Sequence, residues 1–381
     1  MQMGMELKKD IVFNNLRENI LSGKLKGGQK LKNELELSRE MCVAKKTLRS
    51  ALARLEAEGL IARIPAKGTF ILDRTEKASG GNKRKFLIIA KGQSEIHMPF
   101  NYIMPGIENK IAELNFDSIS CSFEHVLSLS PEEAEKSFKS SGIDGIIFCS
   151  NFLHGNERIL QILKKTGLPG VIPHTDKIKD KAATGYAIQL YDEKASFREG
   201  LRHLAEMGHC RVASIMHKGF TPYYRGYSVD EYFSMLEKFG MDTDKALFQT
   251  TTYDADEIKS AATELMKQHM PPTAIMCFSD FYAIHVYDVL KKMSFRIPDD
   301  VAVMGYCGYP GGTLLQPSLS TVDLQYFEIG KSAVELLARS GEWFNAKEKT
   351  AIPVLRTAYK LVTRESTAIK RFERKMMEAV L

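Results

Sequence analysis

The stretch GKLKGGQKLKNELELSREMCVAKKTLRSALARLEAEGLIARIPAKGTFIL, residues 23–72, decides the fold of the N-terminal region. Just before it, Ile11, Leu16, Ile20 and Leu21 recur at helical spacing with charges between them. Within it, the side-chain oxygen of Asn33 can cap a second helix that extends to about residue 41. A third helix is predicted over about residues 45–58, because a glycine follows and ends it.

The last part of this stretch predicts a β-hairpin. Residues 60–64 read LIARI and residues 69–72 read TFIL, two short β-prone runs. The residues between them, PAKG at 65–68, provide a tight turn. Three helices followed by a hairpin predict a winged helix-turn-helix.

The positive charge of the chain is concentrated in this region. Residues 1–85 contain 19 Lys and Arg against 10 Asp and Glu, whereas the remaining residues contain 34 against 37. A basic module on a near-neutral body is the pattern expected of a nucleic-acid binder, because cations displace counterions from phosphate. A basic face that is merely solvated has the same composition, so charge alone leaves both interpretations open.

A polar segment separates this region from the rest. Residues 73–85 read DRTEKASGGNKRK, a composition typical of linkers, and the apolar run FLIIA follows at residues 86–90. We therefore predict a first domain over residues 1–73, a linker over 74–85 and a large second domain over 86–365. The tail, residues 366–381, is charged with periodic apolar residues, and we expect it to be helical.

Composition indicates a globular protein of the cytoplasm. Of the 381 residues, 44% are hydrophobic and 26% charged, and no run approaches the ~20 apolar residues that cross a bilayer. The N-terminus has no apolar signal segment, so we expect neither export nor membrane attachment. The six cysteines are scattered and are expected to be reduced thiols. The histidines show no metal-ligand spacing, and we expect no metal or cofactor.

Residues 23–72 resemble the DNA-binding domain of GntR-type regulators. The family pattern G-x-L-x-P-G-x-x-L-P-S-E-R, V-S-R-x-T-V-R-x-A-L, E-G-L-I and G-x-G-T-F recurs here in order, with little gapping. The resemblance implies that the third helix enters the major groove of operator DNA and that the wing tip approaches the minor groove. It assigns DNA contacts by position to Lys32, Asn33, Lys45, Lys46, Thr47, Arg49, Lys67 and Gly68.

The sequence departs from that pattern in three segments. Leu35 stands where the family has an Arg, Ala44-Lys45 replaces Ser-Arg, and Ala66 replaces the first wing glycine. A lysine presents a point charge where arginine presents a planar fork. The predicted fold is unaffected, whereas the operator sequence and the affinity for it are left open.

From residue 86 onward, short apolar runs alternate with amphipathic segments. The runs FLIIA, SISCSF, GIIFCS, GVIP, VASIM, AIMCF and VAVMGY are typical of buried strands, and the segments between them have helical periodicity. Repeated βα units predict an α/β fold with parallel, doubly wound sheets. About ten strands are too many for one such sheet, so we predict two lobes with a ligand cleft at the carboxyl ends of their strands.

This second domain resembles the effector-binding domain of LacI/GalR-type repressors, which is similar to periplasmic sugar-binding proteins. Six pieces carry the resemblance in family order: residues 100–116, 143–148, 191–215, 271–283, 297–308 and 317–322, the last reading PSLSTV. A GntR-type head on such a body also resembles the architecture of bacterial arabinose repressors. It implies a homodimer that binds double-stranded operator DNA and a small, sugar-like effector.

The resemblance places effector contacts at strand ends, where Asp, Asn and Arg can hydrogen-bond hydroxyl groups and an aromatic face can pack on C–H edges. We add His97 and Tyr224 to the positions that the resemblance gives. The predicted effector-binding residues are then His97, Phe100, Asn151, Tyr224, Arg225, Ser279, Asp280 and Cys307.

Two of these positions leave alternatives open. Asp280 has a second interpretation as a structural cap, because a carboxylate is stabilised at a helix N-terminus. Cys307 stands where the family commonly has an Asp that binds sugar hydroxyls, and a thiol is a weak hydrogen-bond partner. Either the effector is less polar at that end or another group replaces the Asp.

The predicted function is an effector-controlled repressor. One alternative is a solute-binding protein, against which the basic N-terminal region argues. The other is an enzyme on a doubly wound fold. No GxSxG sequence and no phosphate-binding loop with a following Lys-Ser/Thr is present, so we expect no enzymatic activity.

Overall fold

The computed structural model describes residues 8–21, 24–25, 28–41, 43–57, 60–64, 68–71, 83–90, 97–150, 157–175, 184–220, 223–344 and 352–368. The chain divides into two compact units, the head, residues 1–82, and the body, residues 83–381. Within the described ranges, no helix has the length and apolarity that a bilayer span requires.

The head is a winged helix-turn-helix, as the sequence predicted. Its helices are α1 (Lys8–Leu21), α2 (Glu34–Glu40) and α3 (Lys45–Ala57), followed by the antiparallel strands β1 (Ile61–Ile64) and β2 (Gly68–Ile71). The Asn33 side chain accepts a hydrogen bond of 2.9 Å from the backbone N–H of Glu36, so the predicted N-cap of α2 is present. Residues 65–67 of the predicted turn lie outside the described residues.

The core of the head forms along one face of α3. Leu48 is followed at three and four residues by Ala51 and Leu52, and these by Leu55, so that all four share one face and are fully buried. They pack in one cluster with α1 residues that include Val12 and Leu16. This packing holds the exposed face of α3 in a fixed orientation.

The body begins with an N-lobe. Its elements in chain order are β3 (Lys85–Ala90), α4 (Phe100–Glu113), β4 (Asp117–Ser122), α5 (Phe123–Ser128), α6 (Pro131–Ser140), β5 (Gly145–Phe148), α7 (Arg158–Lys165), β6 (Gly170–Thr175) and β7 (Ala187–Leu190).

The chain continues into a C-lobe with α8 (Glu193–Glu206), β8 (Val212–His217), β9 (Tyr223–Tyr224), β10 (Tyr227–Ser228), α9 (Val229–Lys238), β11 (Phe248–Thr251), α10 (Ala255–Met266), β12 (Ala274–Cys277), α11 (Asp280–Lys292), β13 (Ala302–Cys307) and β14 (Ser320–Asp323). It closes with α12 (Tyr326–Ala338), β15 (Val354–Arg356) and β16 (Lys360–Val362).

Each lobe is built on a six-stranded sheet. The N-lobe order is β15-β7-β6-β5-β3-β4 with all pairs parallel, and the C-lobe order is β11-β8-β12-β13-β14-β16. The two parallel sheets were predicted, with one difference: β16 pairs antiparallel with β14 and forms an edge. The strands β7, β14, β15 and β16 were not among the apolar runs that the sequence analysis identified.

Helices cover both faces of each sheet. On β3, Phe86 and Ile88 lie in the core cluster that includes α4 and α12, whereas Leu87 and Ile89 lie in the cluster with α5, α6 and α7. On β13, Gly305 faces Asp280 of α11, and the hydroxyl of its neighbour Tyr306 lies 2.6 Å from Ser196 of α8. Successive strand residues point to opposite faces, so α8 and α11 cover opposite sides of the C-lobe sheet.

The chain crosses between the lobes three times within the described residues: from β7 to α8, from β14 to α12, and from β15 to β16. The predicted boundary between the body and a tail falls at residue 366, yet Ser366 and Thr367 are buried in the C-lobe. The Ser366 hydroxyl donates to the carbonyl of Val303 at 2.7 Å. Residues 369–381 of the predicted helical tail lie outside the described residues.

Candidate functional site

The predicted DNA contacts lie on the surface of the head. Lys45 and Lys46 are the first two residues of α3 and are exposed, as are Lys32 and Asn33 before α2. Thr47 is half-buried. Gly68 is exposed at the start of β2 with φ of 112°, a conformation that side chains other than glycine rarely adopt. Lys67 lies outside the described residues.

Ion pairs with glutamates of α2 orient two of these cations. Arg49 of α3 donates to Glu34 of α2 at 2.6 Å, and Lys32 donates to Glu40 at 2.9 Å. The hydrogen bond and the charge of Glu40 raise the pKa of Lys32. Both pairs are solvent-exposed and therefore contribute little to stability. They do keep the basic side chains on the surface that α2 and α3 share.

The predicted cleft of the body is closed by aromatic side chains from both lobes. The ring of His97, which precedes α4, stacks on the ring of Tyr253, which follows β11, with centroids 3.6 Å apart. Tyr102 of α4 stacks on Tyr309, which follows β13, at 4.1 Å. The Tyr309 hydroxyl also donates to the carbonyl oxygen of His97 at 2.8 Å. These contacts join the lobes at the carboxyl ends of their strands.

Arg225 is the charged centre of this cleft. It is only 6% exposed, and its guanidinium lies between the rings of Phe278 and Tyr306, at 3.8 and 4.1 Å from their centroids. It donates to Glu193 at 3.3 Å and to the backbone carbonyl of Phe278. Among the residues that the structure describes, its Nε atom has no hydrogen-bond partner. A buried donor without a partner costs free energy, so this atom is available to a ligand.

Two further unpaired polar atoms lie at the end of β6. The ring of His174 stacks on Tyr191 at 4.3 Å and meets the ring of Tyr326 edge-on at 4.8 Å. Burial, with the nearby charge of Arg225, lowers the pKa of His174 to about 3, so its ring is neutral. Neither its Nδ1 atom nor the hydroxyl of the adjacent Thr175 has a hydrogen-bond partner in the described part of the chain, although both residues are buried.

Asp280 lies at the first position of α11, where its carboxylate already has protein partners. One oxygen accepts from the backbone N–H of Tyr309 at 2.5 Å and the other from the Thr321 hydroxyl at 2.7 Å. Burial raises the pKa of Asp280 to about 7, while these two hydrogen bonds lower it. The carboxylate therefore holds the segment with Tyr309 in place. This is a structural role, but it differs from the helix cap that the sequence left open, because both partners lie outside α11.

Ser279 and Cys307 are buried at the ends of neighbouring strands. The Ser279 hydroxyl does not cap α11, and it has no hydrogen-bond partner within the described ranges. Cys307 has φ of 97°, and Tyr326 and Tyr309 are hydrogen-bonding neighbours of its thiol. Burial raises the pKa of this thiol, and the charge of Arg225 opposes the rise. The thiol therefore stays protonated, and it lies near tyrosine side chains and within the influence of the charges of Arg225 and Asp280.

The remaining predicted effector contacts are less central. Phe100 is the half-buried first residue of α4 and packs against the hydrophobic core. Asn151 lies outside the described residues, and only the backbone of Tyr224, in β9, is described. The structure thus brings together His97, Arg225, Ser279, Asp280 and Cys307.

Most of the aromatic side chains that line the cleft were not identified from the sequence. The residues not identified are Tyr102, His174, Tyr191, Tyr253, Phe278, Phe281, Tyr309 and Tyr326. Their signal was partly available, because His174 follows the run GVIP directly and Tyr309 follows VAVMGYCG at a strand end. The stacking of these rings across the two lobes has no counterpart in local sequence.

Two parts of the chain match known families. Residues 8–71 match the bacterial regulatory proteins of the gntR family, and residues 201–367 match a periplasmic binding protein-like domain. These are the head and the larger part of the body, in the order that the sequence predicted.

Similar proteins are transcriptional regulators. The chain is 24% identical over 393 residues to an arabinose metabolism transcriptional repressor of Halalkalibacterium halodurans, which covers 97% of this chain and 99% of that protein. It is 25% identical over 287 residues to the HTH-type transcriptional regulator DegA of Bacillus subtilis, covering 74% and 81%. The solved structure of a LacI family transcriptional regulator from Enterococcus faecium with bound ribose has the same fold, with a TM-score of 0.56, 21% identity and coverage of 75% and 99%.

Proposed function

We propose that this chain, which joins a gntR-family head to a periplasmic-binding-protein-like body, is a transcriptional repressor that binds operator DNA and is controlled by a sugar-like effector. The observation that carries the proposal is this pairing: an exposed basic helix on a winged helix-turn-helix, and a two-lobed body with unpaired polar atoms in its cleft. The chain acts by binding in the cytoplasm, as a homodimer whose two heads read two half-sites, and catalyses no reaction.

The DNA-binding part of the proposal rests on α3. Its buried face is fixed by Leu48, Leu52 and Leu55, so its opposite face, with Lys46 and Arg49, is directed outward. Arginine can contact guanine through two hydrogen bonds, and lysine can neutralise phosphate. We propose that α3 lies in the major groove and that Gly68, with Lys67, brings the wing close to the backbone of the DNA. The functional domains are then residues 1–73 and 86–365, with 74–85 as linker.

The effector-binding part rests on the unpaired atoms. The Nε atom of Arg225, the Nδ1 atom of His174 and the hydroxyls of Thr175 and Ser279 are buried and have no hydrogen-bond partner among the described residues. A molecule with several hydroxyl groups can satisfy such a set, and the surrounding rings can pack on its C–H faces. The relatives point to the same class, because one regulates arabinose metabolism and one structure holds ribose. We therefore favour a pentose-like effector.

The DNA-binding part is tested with the full chain and a duplex of the DNA upstream of its own gene. We expect binding that weakens steeply with salt, as phosphate contacts require. Arg49→Ala should lower the affinity by about 1–3 kcal/mol, the worth of one guanine contact. Lys139→Ala, which removes one positive charge from α6 of the N-lobe, is the matched control and should bind as the wild type does. Absence of salt-sensitive binding under all ligand conditions contradicts the proposal.

The effector is identified by a thermal-shift screen of the full chain against pentoses, hexoses and sugar acids. A ligand that binds the folded state raises the apparent melting temperature by mass action. We expect the largest shift from a pentose, and the same sugar should change the affinity for DNA. A shift from no sugar in the panel contradicts the effector class, while the DNA-binding result stands independently.

A further inference from the structure

The polypeptide enters the body at Arg84, and this side chain contacts the far end of a helix that begins in the cleft. The Arg84 guanidinium donates to the carbonyl oxygens of Ala338 and Leu337 at 2.5 and 3.4 Å, and to the Ser340 hydroxyl at 3.0 Å. These acceptors form the C-terminal end of α12. A cation is favoured there, because the last carbonyl groups of a helix are unpaired and carry partial negative charge.

The other end of α12 is part of the cleft wall. Its first residue, Tyr326, is buried, meets His174 edge-on at 4.8 Å and is a hydrogen-bonding neighbour of the Cys307 thiol. A helix of 13 residues is about 20 Å long. One helix thus spans the distance from the cleft to the point where the linker joins the body.

α12 does not move alone, because it is locked to α4. A Cβ atom on Gly106 of α4 would lie 2.0 Å from the carbonyl oxygen of Phe327, and one on Gly330 of α12 would lie 2.2 Å from that of Ile103. The two backbones are therefore in direct contact. Further along, Lys110 of α4 pairs with Glu335 at 2.6 Å. Packing this close lets the two helices shift only together.

Arg84 contacts the end of α12 and also the segment that follows α4. Besides the end of α12, its guanidinium lies over Phe86 and Phe116 at 5.3 and 5.9 Å from the ring centroids, and Phe116 follows α4. The near ends of the pair carry Tyr102 and Tyr326, which line the cleft. The far ends carry the contacts of Arg84.

We propose that Arg84 couples the linker to the helix pair α4–α12, so that a rearrangement of the cleft is transmitted through this pair to the segment that leads to the head. Arg84 is a positioning residue in this scheme, since it touches neither effector nor DNA. The inference rests on the proposed function, because it names the route by which the effector controls DNA binding. It adds that replacement of Arg84 alone should interrupt the coupling and leave both the effector cleft and the DNA-binding surface intact.

A natural fluorophore lies at the end of α12 that is far from the cleft. Trp343 is the only tryptophan in the chain, and its indole N–H donates to the carbonyl oxygen of Leu336 in the last turn of α12 at 3.0 Å. Its fluorescence therefore reports on the far end of the helix. Affinity for operator DNA reports on the linker and head.

The test is a double-mutant cycle on the full chain. The cleft is perturbed by Tyr309→Phe, which removes the hydrogen bond to His97, and by titration with L-arabinose and D-ribose as probes. The coupling is perturbed by Arg84→Gln. The matched control is Arg339→Gln, which removes a guanidinium at the same end of α12 that pairs with the exposed Glu342 instead of the linker. Operator affinity and Trp343 emission are measured for every combination.

We expect each cleft perturbation to shift Trp343 emission in all backgrounds. In the wild type and in Arg339→Gln, each cleft perturbation should change operator affinity by at least about fivefold, which is within the usual range for coupled sites. In Arg84→Gln, the same perturbation should leave operator affinity nearly unchanged. Mutations at distant, independent sites simply add. The inference is overturned if a cleft perturbation changes operator affinity in Arg84→Gln as much as it does in the wild type. It is also overturned if the cleft perturbations leave Trp343 emission unchanged.

Two outcomes are kept distinct. If Arg84→Gln lowers thermal stability, Arg84→Lys replaces it, because lysine keeps the charge and loses the fork that reaches several acceptors at once. The effect on operator affinity should then be intermediate, and an effect equal to that of the wild type contradicts the inference. If the wild-type chain binds none of the DNA, the proposed function has failed, whereas Trp343 emission still decides whether α12 senses the cleft.

Discussion

The imidazole ring of His97 lies flat on the phenol ring of Tyr253, with centroids 3.6 Å apart and planes inclined by 14°. His97 belongs to the N-lobe and Tyr253 to the C-lobe, so this stack is a contact across the cleft. Tyr309 adds a second link, because its hydroxyl donates to the carbonyl oxygen of His97 at 2.8 Å. The closed arrangement of the lobes is thus held by aromatic contacts and one buried hydrogen bond around the same residue.

Tyr309→Phe should weaken this closed arrangement. The variant keeps the ring that stacks on Tyr102 and removes only the hydroxyl that donates to His97. The free energy of unfolding should fall by about 0.5–1.5 kcal/mol, the usual net contribution of one hydrogen bond. Urea unfolding of the full chain measures it, with Tyr359→Phe as control, since no hydrogen bond of that hydroxyl occurs in the described residues. Equal effects of the two variants contradict the prediction.

Ser279→Ala should separate effector binding from stability. The Ser279 hydroxyl is buried, and none of the described residues hydrogen-bonds it, so its removal should leave the free energy of unfolding unchanged or raise it by about 1 kcal/mol. The thermal shift caused by the best sugar of the screen should become smaller, because a contact to the ligand is lost.

Ser320→Ala is the matched control for that variant. The Ser320 hydroxyl donates to the carbonyl of Arg364 at 3.1 Å and accepts from its N–H at 2.8 Å. Its removal leaves buried groups unpaired and should cost about 1–3 kcal/mol of stability. If Ser279→Ala is destabilised as much as Ser320→Ala, then Ser279 has a structural partner and the prediction is wrong.

Asp280→Asn should change how stability depends on pH. Burial raises the pKa of Asp280 to about 7 in the folded protein, above the ordinary 3.8. The stability contributed by the protonated acid is therefore fully present below about pH 4 and is lost as the pH rises through 7. Asn does not ionise, so the variant does not lose this stability as the pH rises. It should be more stable than the wild type at pH 8 by up to about 4 kcal/mol. At pH 4 the advantage should vanish.

The pH dependence must be measured as a difference between variant and wild type. His174 acts in the opposite sense, because its pKa is lowered to about 3, so its stabilising contribution is lost as the pH falls. That contribution cancels when Asp280→Asn and the wild type are compared at each pH. Asp288→Asn is the control, since Lys292 lowers the pKa of this exposed group. A gain at pH 8 in the control as large as in Asp280→Asn rules out the assignment to burial.

Gly106→Ala should be strongly destabilising although alanine favours helices. The added methyl group would lie 2.0 Å from the carbonyl oxygen of Phe327, and α4 and α12 would have to separate. Such overpacking costs about 1–3 kcal/mol. Gly341→Ala, where an added Cβ meets nothing within 4 Å, should be close to neutral. The melting temperatures of both variants, measured by thermal unfolding, test this prediction. Similar melting temperatures for the two variants contradict the close contact of α4 and α12.

Local sequence was sufficient for the elements of the head. The polar cap Asn33, the apolar spacing of Leu48, Leu52 and Leu55, and the two β-prone runs act within a few residues of one another, so helices and hairpin were predicted closely. The same holds for buried strands of the body that are continuous apolar runs, such as β5 and β12. The buried strands β7 and β14 were missed, because polar residues such as Gln189 and Ser320 interrupt their apolar pattern. The short strands β15 and β16 escaped prediction, because their three residues each carry little pattern and are defined by the neighbours they pair with.

For the site, sequence determined which residue types stand at strand ends, and with them the location of the cleft. It left open whether Asp280 binds a ligand or supports the fold, and only the tertiary structure placed its oxygens on Tyr309 and Thr321. The stacking of His97 on Tyr253 and the contact of Arg84 with the end of α12 join residues more than 150 positions apart. Such contacts depend on how the chain crosses between the lobes, which no local spacing of residues encodes.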